Sequence, residues 1–306
     1  MTDTLNKDTS KKHNTIFLFG RDFTELDLWI VKETVRRFPR LSQKELAHTI
    51  CENLQWFAPN GNNKVDSCVQ LLKKLEYQGV IKLPAKWNKG GPKDQRIPPT
   101  LQTDAPGEII TDLSQVGVRV QPVRESCQIR LWNEYVERYH ILGYKRPFGA
   151  HQRYFIVSHD ERFLGCILFS AAAWALEARD QWIGWTQTDR SKRLHLVANN
   201  TRFLIFPWVK VKNLASKSLS LVIKRIGADW QERYSCQPVL LETFVDKEKY
   251  HGTCYRAGNW VYLGETAGRG RMDRHKQYLS SPKHIYVYPL NRDFRSILRG
   301  ESGCSQ

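Results

Sequence analysis

The sequence predicts an α/β (α+β) chain in two units: a small helical unit, then a larger unit built on a mixed sheet. Three observations predict this. Residues 23–83 carry three amphipathic helical periods in close succession. Residues 85–107 (AKWNKGGPKDQRIPPTLQTDAPG) combine Gly, Pro and charge without any period, as a linker does. From about Glu108 onward, strand-like and helix-like segments alternate. Residues 1–20 are polar and read as a flexible lead. The expected division is therefore lead 1–20, helical unit 21–84, linker 85–107 and sheet unit 108–300.

In the helical unit, Thr24 is placed to cap a first helix. Glu25 and Asp27 in its first turn and Arg36 and Arg37 in its last complement the helix dipole, and Pro39 ends it. Ser42 and Glu45 form a capping box for a second helix, whose apolar stripe is Leu46, Ile50 and Leu54. A third helix is expected from Lys64 to Gln78. Val65, Cys68, Val69, Leu72 and Leu75 line one side; Lys64, Ser67, Gln70, Lys73 and Lys74 line the other; Gly79 stops it. Val80 to Leu83 reads as a short strand. Three helices followed by a strand is the order of a winged helix-turn-helix, whose last helix enters the major groove with its N-terminal residues leading. Asn62, Asn63, Lys64, Ser67, Gln70, Lys73 and Lys74 are then the nucleic-acid candidates. The competing reading is a helical bundle that packs on the sheet unit, with residues 60–64 as an ordinary loop; the long stretch from Trp56 to Asn63 favours it.

In the sheet unit, Arg124–Tyr139 has a helical period, and Arg153–Val157 and Leu164–Ser170 read as strands around a turn at 159–162. Strands are expected at Leu194–Val197 and Phe203–Val211, a long amphipathic helix at Leu214–Trp230, and a strand at Val239–Val245. A short helix at Tyr250–Gly258 and strands at Trp260–Gly264 and His284–Tyr288 follow.

Charge narrows the function. The 306 residues carry a net charge of +16, and such a surface attracts polyanions, of which nucleic acid is the usual one. No run of 18 apolar residues occurs, so no membrane span is expected, and the polar start is unlike a secretory signal. The seven cysteines, at 51, 68, 127, 166, 236, 254 and 304, are irregularly spaced without CxxC, which suits free thiols in the cytoplasm.

Several side chains are candidates for chemistry. Glu242 and Asp246 lie on or just after an apolar strand, where carboxylates serve as bases or metal ligands; for Glu242 a buried ion pair with an arginine is an equal reading. Asp180 and Asp189 neighbour Arg179 and Arg190 and suit structural ion pairs. Cys254 reads as a structural thiol, and His251 with Cys254 supplies two ligands, too few for zinc, so no metal is expected. The loop from Thr266 to Lys276, with Arg269, Arg271, Arg274 and Lys276, suits phosphate contact. Trp182, Trp185, Trp208 and Trp260 are either core residues or platforms for an extruded base.

Five segments carry a family resemblance: LGYKRPFGAHQRYFIV, ARDQWIGW, LVANNTRFLIFPWVKVKNLASKSL, PVLLETFVD and GTCYRAGNWVYLGETAGRGR. They resemble the Druantia anti-phage defence protein DruA family, over roughly Arg124 to Leu298. The helical segments LSQKELAHTICENLQW and SCVQLLKKLEYQGVIKLP resemble the domain that usually accompanies it. The order of elements also resembles the GNAT acyltransferase fold, including the phage Mom DNA-modification protein. That second likeness implies a coenzyme A pyrophosphate site at Asn213, Leu214, Ala215 and Ser216, and Tyr255 in the place of a general acid. The turn lacks the fold's Gly-rich pattern, so acetyl-coenzyme A is not the favoured cofactor. The resemblance implies a DNA-binding component of a defence system, acting with DNA and other defence proteins. The alternatives are an acyltransferase-like enzyme acting on a nucleobase, with Tyr255, Glu242 and Asp246 as catalytic candidates, and a transposase-associated accessory protein.

Overall fold

The computed structural model describes residues 16–18, 21–39, 41–59, 62–84, 97–147, 149–266 and 281–301. Two short strands, β1 (Ile16–Leu18) and β2 (Arg21–Phe23), pair antiparallel, so the expected lead ends in a hairpin strand. Three helices follow: α1 (Glu25–Arg37), α2 (Gln43–Asn53) and α3 (Val65–Tyr77). Both N-terminal caps form as full capping boxes, Thr24 with Asp27 and Ser42 with Glu45. Ile30, Val31 and Val35 of α1, Leu46, Ala47, Ile50 and Cys51 of α2, and Cys68, Leu71, Leu72 and Leu75 of α3 close the core between them. Val80–Leu83 forms no strand, and the wing expected there is not built. Glu76 accepts the Leu83 amide at 2.8 Å, which turns the chain back along α3 instead of releasing it into a ladder.

The sheet unit begins with β3 (Ile109–Ile110), α4 (Leu113–Val116), β4 (Arg119–Pro122) and α5 (Ser126–Tyr139). Then come β5 (His151–Val157), β6 (Phe163–Ala171), α6 (Glu177–Ile183), α7 (Gln187–Arg193), β7 (Val197–Ile205) and β8 (Val209–Lys210). The chain closes with α8 (Leu214–Tyr234), β9 (Leu240–Asp246), α9 (Thr253–Ala257), β10 (Val261–Glu265), β11 (Lys283–Pro289) and α10 (Phe294–Arg299). Seven strands make one mixed sheet in the order β10-β11-β9-β7-β6-β5-β4. All its pairs are antiparallel except β7 with β9, which α8 connects as a crossover.

Two sequence expectations shift here. Leu194–Leu196 is a 3-10 turn rather than a strand, and the single strand expected at Phe203–Val211 divides. Phe206 and Trp208 turn into the core and stack at 4.8 Å, and β8 leaves the main sheet to pair in parallel with β3. The cause is Pro207 between the two rings, which has no amide to give a ladder.

α8 and α9 cover one face of the sheet; α5, α6, α7 and α10 cover the other. On the first face Tyr154 of β5 donates to Asp229 of α8 at 2.9 Å, and Arg225 brackets the same carboxylate. On the second, Trp132 of α5 donates to the Tyr154 carbonyl at 3.0 Å, and its ring lies under the buried Arg153. The helical unit docks at the C-terminal end of α8. There Phe38 meets Tyr234 edge-on at 5.9 Å, Arg37 contacts His195, and Lys192 lies over Trp29.

His151 marks this end of the sheet. It is buried, its Nδ1 lies 2.9 Å from the Gly149 carbonyl, and Tyr234 bonds both its amide and its carbonyl. Burial first, then Arg153 and Arg233, lower its pKa to about 3. A lowered folded-state pKa means that the stabilisation is present above pH 6.5 and is lost as pH falls towards 3. Urea unfolding is expected to show stability falling below pH 6.5 by up to about 1.4 kcal/mol per pH unit from this one group. His151→Gln should reduce that slope without abolishing it, because burial lowers His195 to about 3 and His140 to about 4 in the same window; an unchanged slope would assign it to those two.

Candidate nucleic-acid helix and sheet cleft

The third helix presents a continuous outer stripe. Asp66, Gln70, Lys73, Lys74 and Tyr77 are all exposed, at the i, i+4, i+7, i+8 and i+11 spacing of one face. Tyr77 is 94% exposed, so this large ring lies almost free of the protein. The opposite face is locked against α2, which fixes the stripe as a rigid edge.

The leading end of α3 differs from its expected role. Asn63 turns inward: its amide reaches Glu52 at 3.1 Å and lies near both His48 Nδ1 and the His48 carbonyl. A bridge between Phe57 and Asn63 and bonds from Ala58 N to Asn62 O and Lys64 N to Trp56 O close the preceding loop on itself. Asn63 is thus a brace between α2 and α3, not a reader of bases. Lys64 is the half-buried N-cap and Ser67 is half-buried, while Asn62 stays exposed. Asp66 puts a negative charge in the first turn, which suits the helix dipole and repels a phosphate. The cationic part of the face is therefore its second half, at Lys73 and Lys74, with Tyr77 beside them. The sequence reading passed over Tyr77; its signal was a large aromatic seven residues from Gln70 on the polar side. Arg269, Arg271, Arg274 and Lys276 lie outside the described residues.

The second feature is a cleft in the sheet. β7 and β9 pair only from Val197 to Asn200 against Leu240 to Thr243; beyond that β7 runs on to Ile205 without β9 beside it. The carboxyl ends of a parallel pair that part in this way are where α/β sheets bind ligands. Tyr255 of α9 enters at the parting point. Its hydroxyl donates to Asn200 Oδ1 at 2.7 Å and lies 3.5 Å from the Thr243 hydroxyl, which donates to the Asn200 carbonyl at 3.0 Å. The ring stacks on Tyr286 at 5.7 Å and meets Trp260 edge-on at 5.1 Å. Gly252 makes this entry: its φ is +65°, and a Cβ there would fall 2.6 to 2.8 Å from the Tyr286 ring. Burial pushes the Tyr255 phenol far above its ordinary pKa, so it stays protonated. Asn200 and Thr243, neither singled out for this role by the sequence, are its partners.

The other catalytic candidates are occupied elsewhere. Glu242 points to the opposite face, where one oxygen accepts from the Ala173 amide at 2.8 Å and the other from Arg179 at 2.7 Å, both side chains fully buried. It is one half of an ion pair, not a free base. Asp180 continues the chain, bonded to Arg179, Arg190 and the Trp185 indole. Asp189 caps α7 with Thr186. Asp246 closes the turn after β9 by accepting from the Glu248 amide at 3.1 Å. Four residues of strand, about 13 Å, separate it from Glu242, so the two carboxylates do not converge. Burial pushes the Cys254 thiol up to about 11, which disfavours the thiolate that a nucleophile needs. Trp185, Trp208 and Trp260 are buried and cannot take an extruded base; Trp182 is stacked on Phe294 at 4.9 Å. Among the described residues no group of three His, Cys, Asp or Glu side chains could hold a metal, and no helix is long and apolar enough to cross a membrane.

The turn into α8 tests the coenzyme A site. Asn213 adopts the left-handed conformation (φ 62°) usual for glycine, and Leu214 is buried. The Leu214 amide bonds Val211 O, the Lys217 amide bonds Asn213 O, and the Ser216 hydroxyl donates to the same Asn213 carbonyl. Ala215 and Ser216 are left with amides that have no bond among the described residues. Two amides serve a single phosphate, and the β-carbons at 213 and 215 stand where bare backbone would let a pyrophosphate approach. The residues present do not make a pyrophosphate cradle.

Solved structures of spermidine N-acetyltransferase from Vibrio cholerae are similar in shape. A mutant form is 10% identical, with 60% of this chain and 96% of that chain covered at a TM-score of 0.38. The complex with CoA and spermine is 12% identical, covering 56% and 95% at 0.35. A second mutant is 12% identical, covering 62% and 99% at 0.38. No curated protein matches the chain. The family model described as Druantia protein DruA matches residues 74–281, more than half of the sequence, from the end of α3 past Tyr255 and Trp260 of the cleft. The chain belongs to the DruA family of Druantia proteins.

Proposed function

We propose that this chain engages duplex DNA as a component of a Druantia anti-phage defence system, with α3 as the contacting helix. The observation that carries the reading is the outer stripe of α3, where Gln70, Lys73, Lys74 and Tyr77 project from a helix braced on its other side. Lysines on such an edge neutralise phosphates, glutamine reaches base edges or sugar, and tyrosine adds a polar contact to the backbone. The charge of +16 draws a duplex to the surface before any contact forms. Binding of a fluorescent duplex by the full chain tests this: K73Q/K74Q is expected to bind more weakly than the unaltered chain. Equal affinity would remove α3 from the interface.

Acyl transfer is a second reading, favoured by the protonated Tyr255 at the parting of β7 and β9. The turn into α8 opposes it. Calorimetric titration with acetyl-coenzyme A is expected to give no binding heat. Saturable heat that Tyr255→Phe leaves intact, together with product formation that it abolishes, would establish transfer instead.

A further inference from the structure

The outer side of α8 carries a second cationic face, distinct from α3 and from the cleft. The exposed positions of this helix are Lys217, Ser220, Lys224, Ala228, Gln231 and Glu232; the first five make one stripe at i, i+3, i+7, i+11 and i+14, and Glu232 borders its C-terminal end. The stripe is polarised. Its N-terminal half holds Lys217 and Lys224, with Ser220 between them and half-buried Ser216 before them. The ion pairs of α8 all lie in its C-terminal half, between Arg225 and Asp229 and from Arg124 to Asp229 and Glu232. Among the described residues Lys217 and Lys224 have no carboxylate partner.

This placement runs against the helix's own electrostatics. The first turn of a helix favours acids and disfavours lysines, yet α8 has no acidic residue there and a lysine at its fourth position. α9 packs beside α8 and adds the exposed Arg256, whose bonding partner is the His251 carbonyl rather than an acid. On the far side the patch is bounded by β3, with exposed Glu108 and Asp112 near Lys210 and Lys212, so those two lysines are left out of it. Between the cations stands the exposed Ser220, short enough to let a polymer backbone lie against the helix while donating to its phosphates. Lys217 and Lys224 are seven residues apart, about 10 Å along the axis. A duplex presents one negative charge per roughly 1.7 Å, so this spacing suits a chain of phosphates.

We infer that the N-terminal half of α8, through Lys217, Lys224 and Arg256 with Ser220, is a second phosphate-backbone contact for DNA. It deepens the proposed function and rests on the DNA reading, though not on α3. The contact carries no sequence information; it sets the length of duplex engaged. The helical unit docks beyond Tyr234, about 25 Å from Lys217 along the helix, so this face is separate from that junction.

The test is duplex affinity across a salt series with the full chain, comparing K217Q/K224Q/R256Q, K73Q/K74Q and the unaltered protein. The α8 variant is expected to retain its thermal midpoint, to bind on the order of a hundredfold more weakly near 0.1 M salt, and to lose about 2 to 3 from the log–log salt slope. K217R/K224R should restore both. Millimolar coenzyme A or inorganic pyrophosphate should not displace the duplex; displacement would assign the face to free diphosphates. An α8 variant that keeps the full slope and affinity overturns this inference and leaves α3 standing. Loss in the α8 variant with none in K73Q/K74Q upholds this inference and overturns the α3 reading. A full chain that binds no duplex overturns both.

Discussion

Replacing Arg179 by alanine is expected to destabilise the sheet unit by about 3 to 5 kcal/mol, the usual cost of leaving one half of a buried ion pair without its partner. Arg179 and Glu242 are both fully buried, and the guanidinium also holds Asp180 and the Ala173 carbonyl. Removing it leaves the Glu242 carboxylate in an apolar layer with only the Ala173 amide, and frees Asp180 from one of its two arginines. Glu242→Gln should cost less, because an amide remains able to accept from Arg179. The double change Arg179→Met with Glu242→Leu should recover much of the loss, since paired replacement by apolar side chains removes both desolvation costs. Urea unfolding checks all three. A loss within about 1 kcal/mol for Arg179→Ala would show a solvated pair of the exposed kind. Glu242 precedes Thr243, which faces the cleft from the other side of β9, so the pair also fixes the strand that positions Tyr255.

K73Q/K74Q is expected to act on function rather than on stability. Each phosphate contact contributes about 0.9 to the salt slope, so near 0.1 M salt the loss of two weakens duplex binding by roughly 50-fold. Stability should hardly change, because both side chains are exposed and without an ion-pair partner among the described residues. Tyr77→Ala should add a smaller loss. Lys64→Gln should do less than either lysine of the stripe, because Lys64 is half-buried at the cap.

The sequence made some of this legible and hid the rest for physical reasons. Caps are local, so Thr24 with Asp27 and Ser42 with Glu45 fixed the helix starts from four residues each. The apolar stripes of α2 and α3 and the amphipathic period of α8 likewise followed from period alone. Side-chain direction in the loop before α3 is not local. Asn63 looked like a base reader until α2 supplied Glu52 and His48 as partners. Val80–Leu83 has strand composition, but among the described residues no strand lies beside it to pair with. Glu242 carried two equal readings, and the choice depended on Arg179, 63 residues away in sequence. Tyr255 was visible as a position, while Asn200 and Thr243 came to it through the parallel pairing of β7 with β9, which periodicity does not encode. The lysines of α8 stood seven apart in plain sight; what marks them is that neither pairs with an acid among the described residues, and that needed the packing.

On the proposed function, this basic chain holds a duplex through several phosphates at once. The most direct measurement is the dissociation constant of the unaltered full chain for a duplex, followed from low to high salt. Five or more contacts predict a log–log slope of about −4.5 or steeper. A flat response, or no measurable binding at low salt, would contradict the account.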